Sequence, residues 1–249
     1  MAAGYIDGTD KAIIGVDNFH YAVQLLDRPD VAIYGDIMKF PNIINATATP
    51  SAVEATLYAD NKAVIQYTGV GNVAVSLEFA SIPTQVVADL VGSPRTGAVK
   101  HTSGDQTAPY VGIAWRQLYN TGEYSYVKLY KGQFQEPEVA AQTKGDSIEF
   151  QTRTLTGTFV STAFAGEEAG KSFSYLMDTV DEADPLYADE GETWFNKFLE
   201  GEAPAWVTGT RYVVGAIVSN TGKTYRCVKS HNASATFSAD EANWAELSF

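Results

Sequence analysis

The chain has a single cysteine, Cys227, among 249 residues. That excludes an internal disulfide and a cysteine-built metal cage. Histidine is nearly as scarce, and His20, His101 and His231 lie far apart in sequence. No window of about 18 apolar residues occurs, so no membrane span is expected. The opening MAAGYIDGTDK lacks a basic stretch followed by an apolar run and does not read as a secretory signal. Both features fit a cytosolic origin.

Catalytic signatures are missing as well. There is no G-x-S-x-G and no H-E-x-x-H. Gly69 to Ala74 spells G-x-G-x-x-A, but between two expected strands and without a βαβ unit around it. Gly170-Lys171-Ser172 and Gly222-Lys223-Thr224 end like phosphate loops. Ala165 and Ile217 stand where such loops need their first glycine. A Ser-His-Asp site assembles across a fold and leaves no local signal, and nothing nominates one. The reading is therefore no enzyme, with no catalytic, cofactor-binding or metal residue.

What is present is acid, unevenly placed. The net charge is −13. Residues 1–202 hold 13 basic and 27 acidic residues, whereas residues 203–249 hold four and three. Eleven of the acids fall between Glu167 and Glu202. An acidic domain repels phosphates and binds nucleic acid poorly. The same repulsion suits a conduit, whose wall must not hold its cargo. Within 165–202 the run DEADPLYADEGE reads as solvated surface or linker. Its oxygen ligands raise a calcium loop as the sharper alternative, but the spacing matches none.

The pattern is mostly β. Residues 12–16 suggest a short first strand, and 27–50, with Pro29, Gly35, Pro41 and Pro50, an extended arm. Lys62 to Tyr67 reads as a strand, Thr68-Gly69-Val70-Gly71-Asn72 as a glycine loop, and Val73 to Phe79 as a strand with alternate residues buried. Ser81-Ile82-Pro83 opens a helix that buries Val86, Val87, Leu90 and Val91 and stops at Gly92. Residues 93–108 read as a surface loop carrying a solvated His101. Val111–Trp115 and Tyr124–Tyr130 form a hairpin about Asn120-Thr121-Gly122. Residues 147–160 form a third β segment whose phase changes near Thr152–Thr154, as at a bulge or between two strands. Glu167 to Gly170 reads as loop, and 174–180 and 192–199 as short helices.

LYADN (57–61), the alternating strand and IPTQVVADLVG (82–92) together resemble the major tail tube proteins of long-tailed bacteriophages. PYVGIAWR (109–116), YVKLYKGQF (126–134), Pro137 and TKGDSIEFQTRTLTG (143–157) follow in the family's order. The resemblance spans roughly residues 10 to 160. It implies a mainly β fold, a tail-tube-type β-sandwich or barrel with a flanking α-helix. It also implies hexameric rings joined head to tail and stacked into a hollow tube. Through that tube DNA leaves, in a virion assembled in the host cytoplasm with other tail proteins. The hairpins would offer edges to neighbours, and the 27–50 arm and 93–108 loop would bridge rings.

The last residues form their own unit. Trp206, Tyr212, Gly215, Val218, Gly222, Tyr225, Cys227, His231 and Trp244 are spaced as in the small three-stranded modules of the chitin-binding type. The division expected is 1–202, a tail tube domain with an acidic peripheral segment at 165–202, and 203–249, a carbohydrate-binding-like module. A unit so independent is expected outside the tube wall and dispensable for assembly. Trp206, Tyr225 and Trp244 read as core, Cys227 as a small buried hydrophobe, and Tyr212 and Phe237 as exposed stacking surfaces. Candidate contacts for a bacterial surface glycan are Tyr212, Phe237 and Trp244. The sequence around Phe237 lacks the extra tryptophans of the resembling modules. A carbohydrate-binding protein that merely presents this module is the alternative, and a carbohydrate-acting enzyme the third reading.

Overall fold

The structure is a computed structural model that describes residues 11–29, 31–140, 143, 150–168, 171–174, 177–182, 190–196, 198, 200–201 and 203–247. Its strands are β1 (Ile13–Arg28), β2 (Val31–Tyr34), β3 (Met38–Lys39), β4 (Ile43–Ala59) and β5 (Lys62–Phe79), followed by helix α1 (Thr84–Val91). Then come β6 (Arg95–Thr96), β7 (Val99–Lys100), β8 (Val111–Tyr119), β9 (Tyr124–Phe134) and β10 (Arg153–Phe159). The next stretch holds β11 (Ala165–Glu168), β12 (Lys171–Ser174), β13 (Met177–Asp181), the one-turn helix α2 (Glu190–Thr193) and β14 (Glu200–Gly201). The C-terminal strands are β15 (Arg211–Tyr212), β16 (Ile217–Asn220), β17 (Lys223–Cys227), β18 (His231–Asn232) and β19 (Trp244–Leu247).

One large antiparallel sheet runs β14-β2-β1-β8-β9-β10-β5-β4, with β3 also on β1 and β13 also on β9. Its inner face is the alternation the sequence announces. Val73, Val75, Leu77 and Phe79 of β5 are buried against Leu155 and Phe159 of β10, Ile113 and Trp115 of β8, and Leu129 of β9. Helix α1 closes this core with Val87, Leu90 and Val91. Pro83 stands at its N-cap, and Gly92 ends it at φ 71° in the left-handed region. A side chain at Gly92 would also collide with the Thr107 carbonyl, so only glycine serves there. The Asn120-Thr121-Gly122 turn joins β8 to β9 as expected, with Gly122 at φ 89°.

The outer face is treated in two ways. Behind β1, β8 and β9, a second apolar cluster joins Ala22, Tyr34, Ala114, Tyr126 and Tyr130 to Phe164, Trp194 and Phe198 from the chain after β10. Consequently β8 is buried on both faces. Gly112 lets the cover approach: a Cβ there would lie 2.8 Å from the Phe198 ring. Lys128 is buried in this cover with its ammonium 4.3 Å from the Trp194 ring centre. Asp27 ties the cover down. It pairs with Lys131 at 2.6 Å and accepts the backbone N–H groups of Ala163 and Phe164.

Several expectations change. Segment 27–50 is not a free arm, because β2 is wholly buried and paired with β1, and residues from Ile43 onward enter β4. The first strand runs on to Arg28. The glycine stretch 68–72 is not a hairpin loop. The chain turns instead at Asp60-Asn61, both with positive φ (50° and 60°), which suits a tight hairpin turn. The β4–β5 register slips between Pro50 and Ala52, opposite Gly71-Asn72, so these two residues mark a bulge, while Gly69 pairs regularly with Val53. Residues 177–181, expected as helix, form β13, because β9 offers an edge to pair with. Glu167-Glu168, expected as loop, lies in the β11–β12 hairpin. Of the helix expected over 192–199, only one turn at 190–193 is helical, followed by turns to Asn196. Within loop 93–108, β6 and β7 form a small hairpin. In the third β segment, regular pairing begins at Arg153, and Ile148 and the acidic run 183–189 lie outside the described residues.

The C-terminal unit has the expected three-stranded sheet, β16-β17-β19, plus the pair β15–β18. It is not free of the large domain. Ala203 and Ile217 pack on Val31 and Ile33 of β2, with Leu25, Leu26 and Leu247 around them. Strand β14 extends the large sheet along the β2 edge just before this seam.

Candidate assembly surface and carbohydrate module

The β4–β5 hairpin outruns the core. From Ala52 to Val70 its residues pair only with each other, strand against strand. The pairs Leu57↔Ile65, Ala55↔Tyr67 and Val53↔Gly69 alternate with Thr56↔Gln66 and Glu54↔Thr68. Cross-strand partners share a face, so one face of the hairpin is apolar, and the other mixes Glu54, Thr56, Gln66 and Thr68 with Ala52 and Val70. No described residue covers the apolar face: Leu57, Ile65 and Tyr67 are 59, 57 and 62 % exposed. On the other face Tyr58, Val64 and Val70 are exposed as well. Alternation of this kind normally marks a buried face. Here no burying partner stands among the described residues.

Strand β4 adds a second unfilled capacity. It ends the strand order, and no described strand pairs with its far edge. Monomeric proteins usually shorten, charge or cover such edges. This edge is 17 residues long and carries one acid, Glu54, and one proline, Pro50. At the opposite end β2 is capped by β14.

The C-terminal unit gathers its aromatics inward. Trp244 sits 5.0 Å edge-on to Tyr212 and lies near-parallel to Phe237 at 5.7 Å. Phe237 also touches Tyr225 at 4.6 Å and Trp206 at 5.8 Å. Tyr212, expected to be exposed, is buried. Its hydroxyl accepts the Val207 N–H at 2.8 Å, so its polar tip is spent inside the unit. Trp244 is buried too, as its core reading requires. Phe237 is half-buried. A domain of this size needs most of its aromatics to make a core at all. Asp240 fastens the Phe237 segment by accepting the Ser234 N–H and hydroxyl, each at 2.7 Å, and these bonds hold its carboxyl below the usual range. Cys227 is buried and donates to the Lys229 carbonyl, and burial pushes its thiol up.

No group of three or more metal-ligating side chains exists among the described residues, and no described helix is long and apolar enough to cross a membrane. His101 lies exposed in its loop. A β-rich domain with a flanking helix, an uncovered apolar hairpin and an open sheet edge is a subunit awaiting neighbours. The phage tail tube protein family model matches residues 41–189, more than half of the chain. The chain belongs to the phage tail tube protein family. A tail tube protein is a structural component of the virion, built into an oligomeric assembly. The matched span runs from β4 past β13 and stops short of Trp194 and Phe198 of the cover, and it includes the whole protruding hairpin. Residues 205–245 match the model of carbohydrate-binding module family 5/12. This tail tube protein therefore carries a second, recognisable module behind its tube domain. No curated protein matches the chain.

Sequence reasoning missed the apolar face of the hairpin. It took 62–67 as a strand that turns at 68–72 into 73–79, and so did not pair it with 52–59. The alternation of Val53, Ala55 and Leu57 was the available signal.

Proposed function

We propose that this chain is the major subunit of a phage tail tube. Six copies close into a ring, rings stack, and the hollow tube conducts DNA during ejection. The observation that carries the proposal is the uncovered apolar face of the β4–β5 hairpin in a member of this family. Apolar area contributes about 25 cal/mol per Å² when removed from water, so the hairpin is stable in company and wasteful alone. Heterologous contacts that close by rotation make a ring rather than a fibre. The β4 edge and the hairpin lie together at one end of the sheet, where such a contact would form. Assembly takes place in the host cytoplasm, beside other tail proteins, and the DNA passes without sequence-specific binding.

Residues 1–202 are the tube domain in this reading, and residues 203–249 the module, held on the outside of the tube. The module's role is adhesion to a glycan of the bacterial surface. Phe237 is the contact residue, with Trp244 and Tyr212 stacked behind it as support. The family 5/12 match of residues 205–245 favours this role. It also keeps alive the second reading, a carbohydrate-binding protein whose large domain only presents the module. Concentrating the purified chain and imaging it by electron microscopy separates the two. Tubes of stacked rings support the tube reading. A dispersed protein that binds glycans on an array would replace it with the second.

A further inference from the structure

The sheet's outer face is covered behind β1, β8 and β9, and the part on β4, β5 and β10 short of the hairpin is bare and has a composition of its own. Across β4, β5 and β10 the register aligns Thr47 with Ser76 and Thr156, and Thr49 with Ala74 and Thr158. The threonines and Ala74 are exposed and Ser76 is half-buried. The same strands bury Val75, Leu77, Leu155 and Phe159 on their other side. Threonine serves both needs at once, because its branched carbon suits a strand and its hydroxyl meets water. The next row, Asn45, Glu78 and Thr154, holds the one charge. That carboxylate accepts the Thr152 hydroxyl at 2.6 Å. No lysine or arginine stands in these three rows.

We infer that this hydroxyl face lines the bore of the tube and that duplex DNA passes over it on a layer of bound water. The inference rests on the tube reading above. Three observations carry it. Without cations in its rows, the face offers a polyanion no counter-charge to bind. Without large apolar side chains, it stays wet, whereas an apolar constriction gates by losing its water. And the strand order puts it at the far end of the sheet from β2, which carries the C-terminal module through the Val31–Ile217 seam. A bore cannot also hold that module, so the bore lies on the side away from it. The wall is thus nearly neutral along these rows, although the whole chain is strongly acidic.

Thiol labelling of assembled tubes tests this. The native Cys227 is fully buried, so Thr156→Cys and Thr47→Cys in the full chain each provide one reactive thiol. Val213→Cys, on the exposed surface of the module, is the exterior control. In tubes, a small maleimide should label Thr156→Cys and Thr47→Cys, while a polymer-linked maleimide too large for the bore should not. Dissociated subunits should react with both reagents, and Val213→Cys should react with both in either state. Labelling by both reagents in tubes would put the face outside and overturn the inference. Protection from both, or failure of both variants to assemble where the native chain assembles, would place it in a subunit contact and overturn it equally. If the native chain forms no tubes, the tube reading itself falls, and this inference with it.

Discussion

The two halves of the sheet's outer face have had opposite fates. Behind β1, β8 and β9 the chain returns after β10 and covers the face with Phe164, Trp194 and Phe198. Behind β4, β5 and β10 no described segment returns, and the face is mostly threonine and serine. Further along the same strands, beyond the bulge at Gly71-Asn72, the hairpin bears an apolar face that is also left bare. The difference separates three kinds of surface on one sheet. One the chain finishes for itself, one it leaves to water, and one it leaves to a neighbour. Substitutions should divide accordingly, costing folding in the first and assembly in the last.

The largest effect is expected on strand β5, on which both halves depend. Val75→Pro removes a ladder hydrogen bond between β4 and β10 and a core contact together. Loss of the β signal in circular dichroism, with insoluble expression, is the expected result. A soluble Val75→Pro chain with an unchanged melting midpoint would remove Val73–Phe79 from the core. Next comes the anchor of the covered half. Asp27→Ala strands Lys131 and two backbone N–H groups in a mostly buried place, a loss of about 3–5 kcal/mol by analogy with broken buried ion pairs. Denaturant unfolding should show it. A change below about 0.5 kcal/mol, the range of an ordinary surface site, would mean that the cover does not hang on Asp27.

The seam with the module should matter less. Ending the chain at Gly201 uncovers Val31 and Ile33, which are fully buried. Full exposure of two such side chains would cost about 3–6 kcal/mol, and losing only the module's share of their cover costs less. The truncated domain should melt lower than the full chain but still form tubes, without peripheral knobs. Truncated protein that never forms tubes would make the module part of the wall. A smaller effect belongs to pH. The Ser234 bonds hold the Asp240 carboxyl below its usual range. That stabilisation is complete above the ordinary carboxylate pKa and is lost as pH falls through the lowered one. Asp240→Asn should flatten the acid limb of the module's unfolding curve, read by tryptophan fluorescence, and an unchanged limb would exclude this carboxylate.

Much of the inner architecture was legible because period, caps and turns agree with the fold. The alternation of β5, the Pro83–Gly92 helix, the 120–122 turn and the aromatic spacing of the module all survive. What failed did so for physical reasons. Strand β1 was read too short because Asp17, Asn18 and His20 break its apolar pattern, although pairing with β8 holds it in register. The segment 177–181 has no decisive local preference, and the edge of β9 chose for it. The hairpin turn was assigned to glycines, yet Asp60 and Asn61 take the positive φ, Gly71 lies in a bulge and Gly69 pairs regularly. The assembly surface was the least legible part. An exposed apolar face has the same sequence as a buried one, and only the fold shows that no described segment lies against it.

The smallest expected change in stability belongs to that hairpin, and there the central claim is most directly tested. The double variant Leu57→Asp, Ile65→Asp puts two carboxylates on exposed sites, which should alter unfolding of the subunit by no more than about 0.5 kcal/mol per site. Between subunits the same carboxylates would be buried without partners, a cost the contact cannot offset. Electron microscopy of the native chain and the variant, at equal concentration and with matched melting curves, gives the answer. The account predicts tubes for the native chain and dispersed, folded subunits for the variant. Tubes in both preparations would contradict it, because the face left bare by the chain would then have no part in joining one subunit to the next.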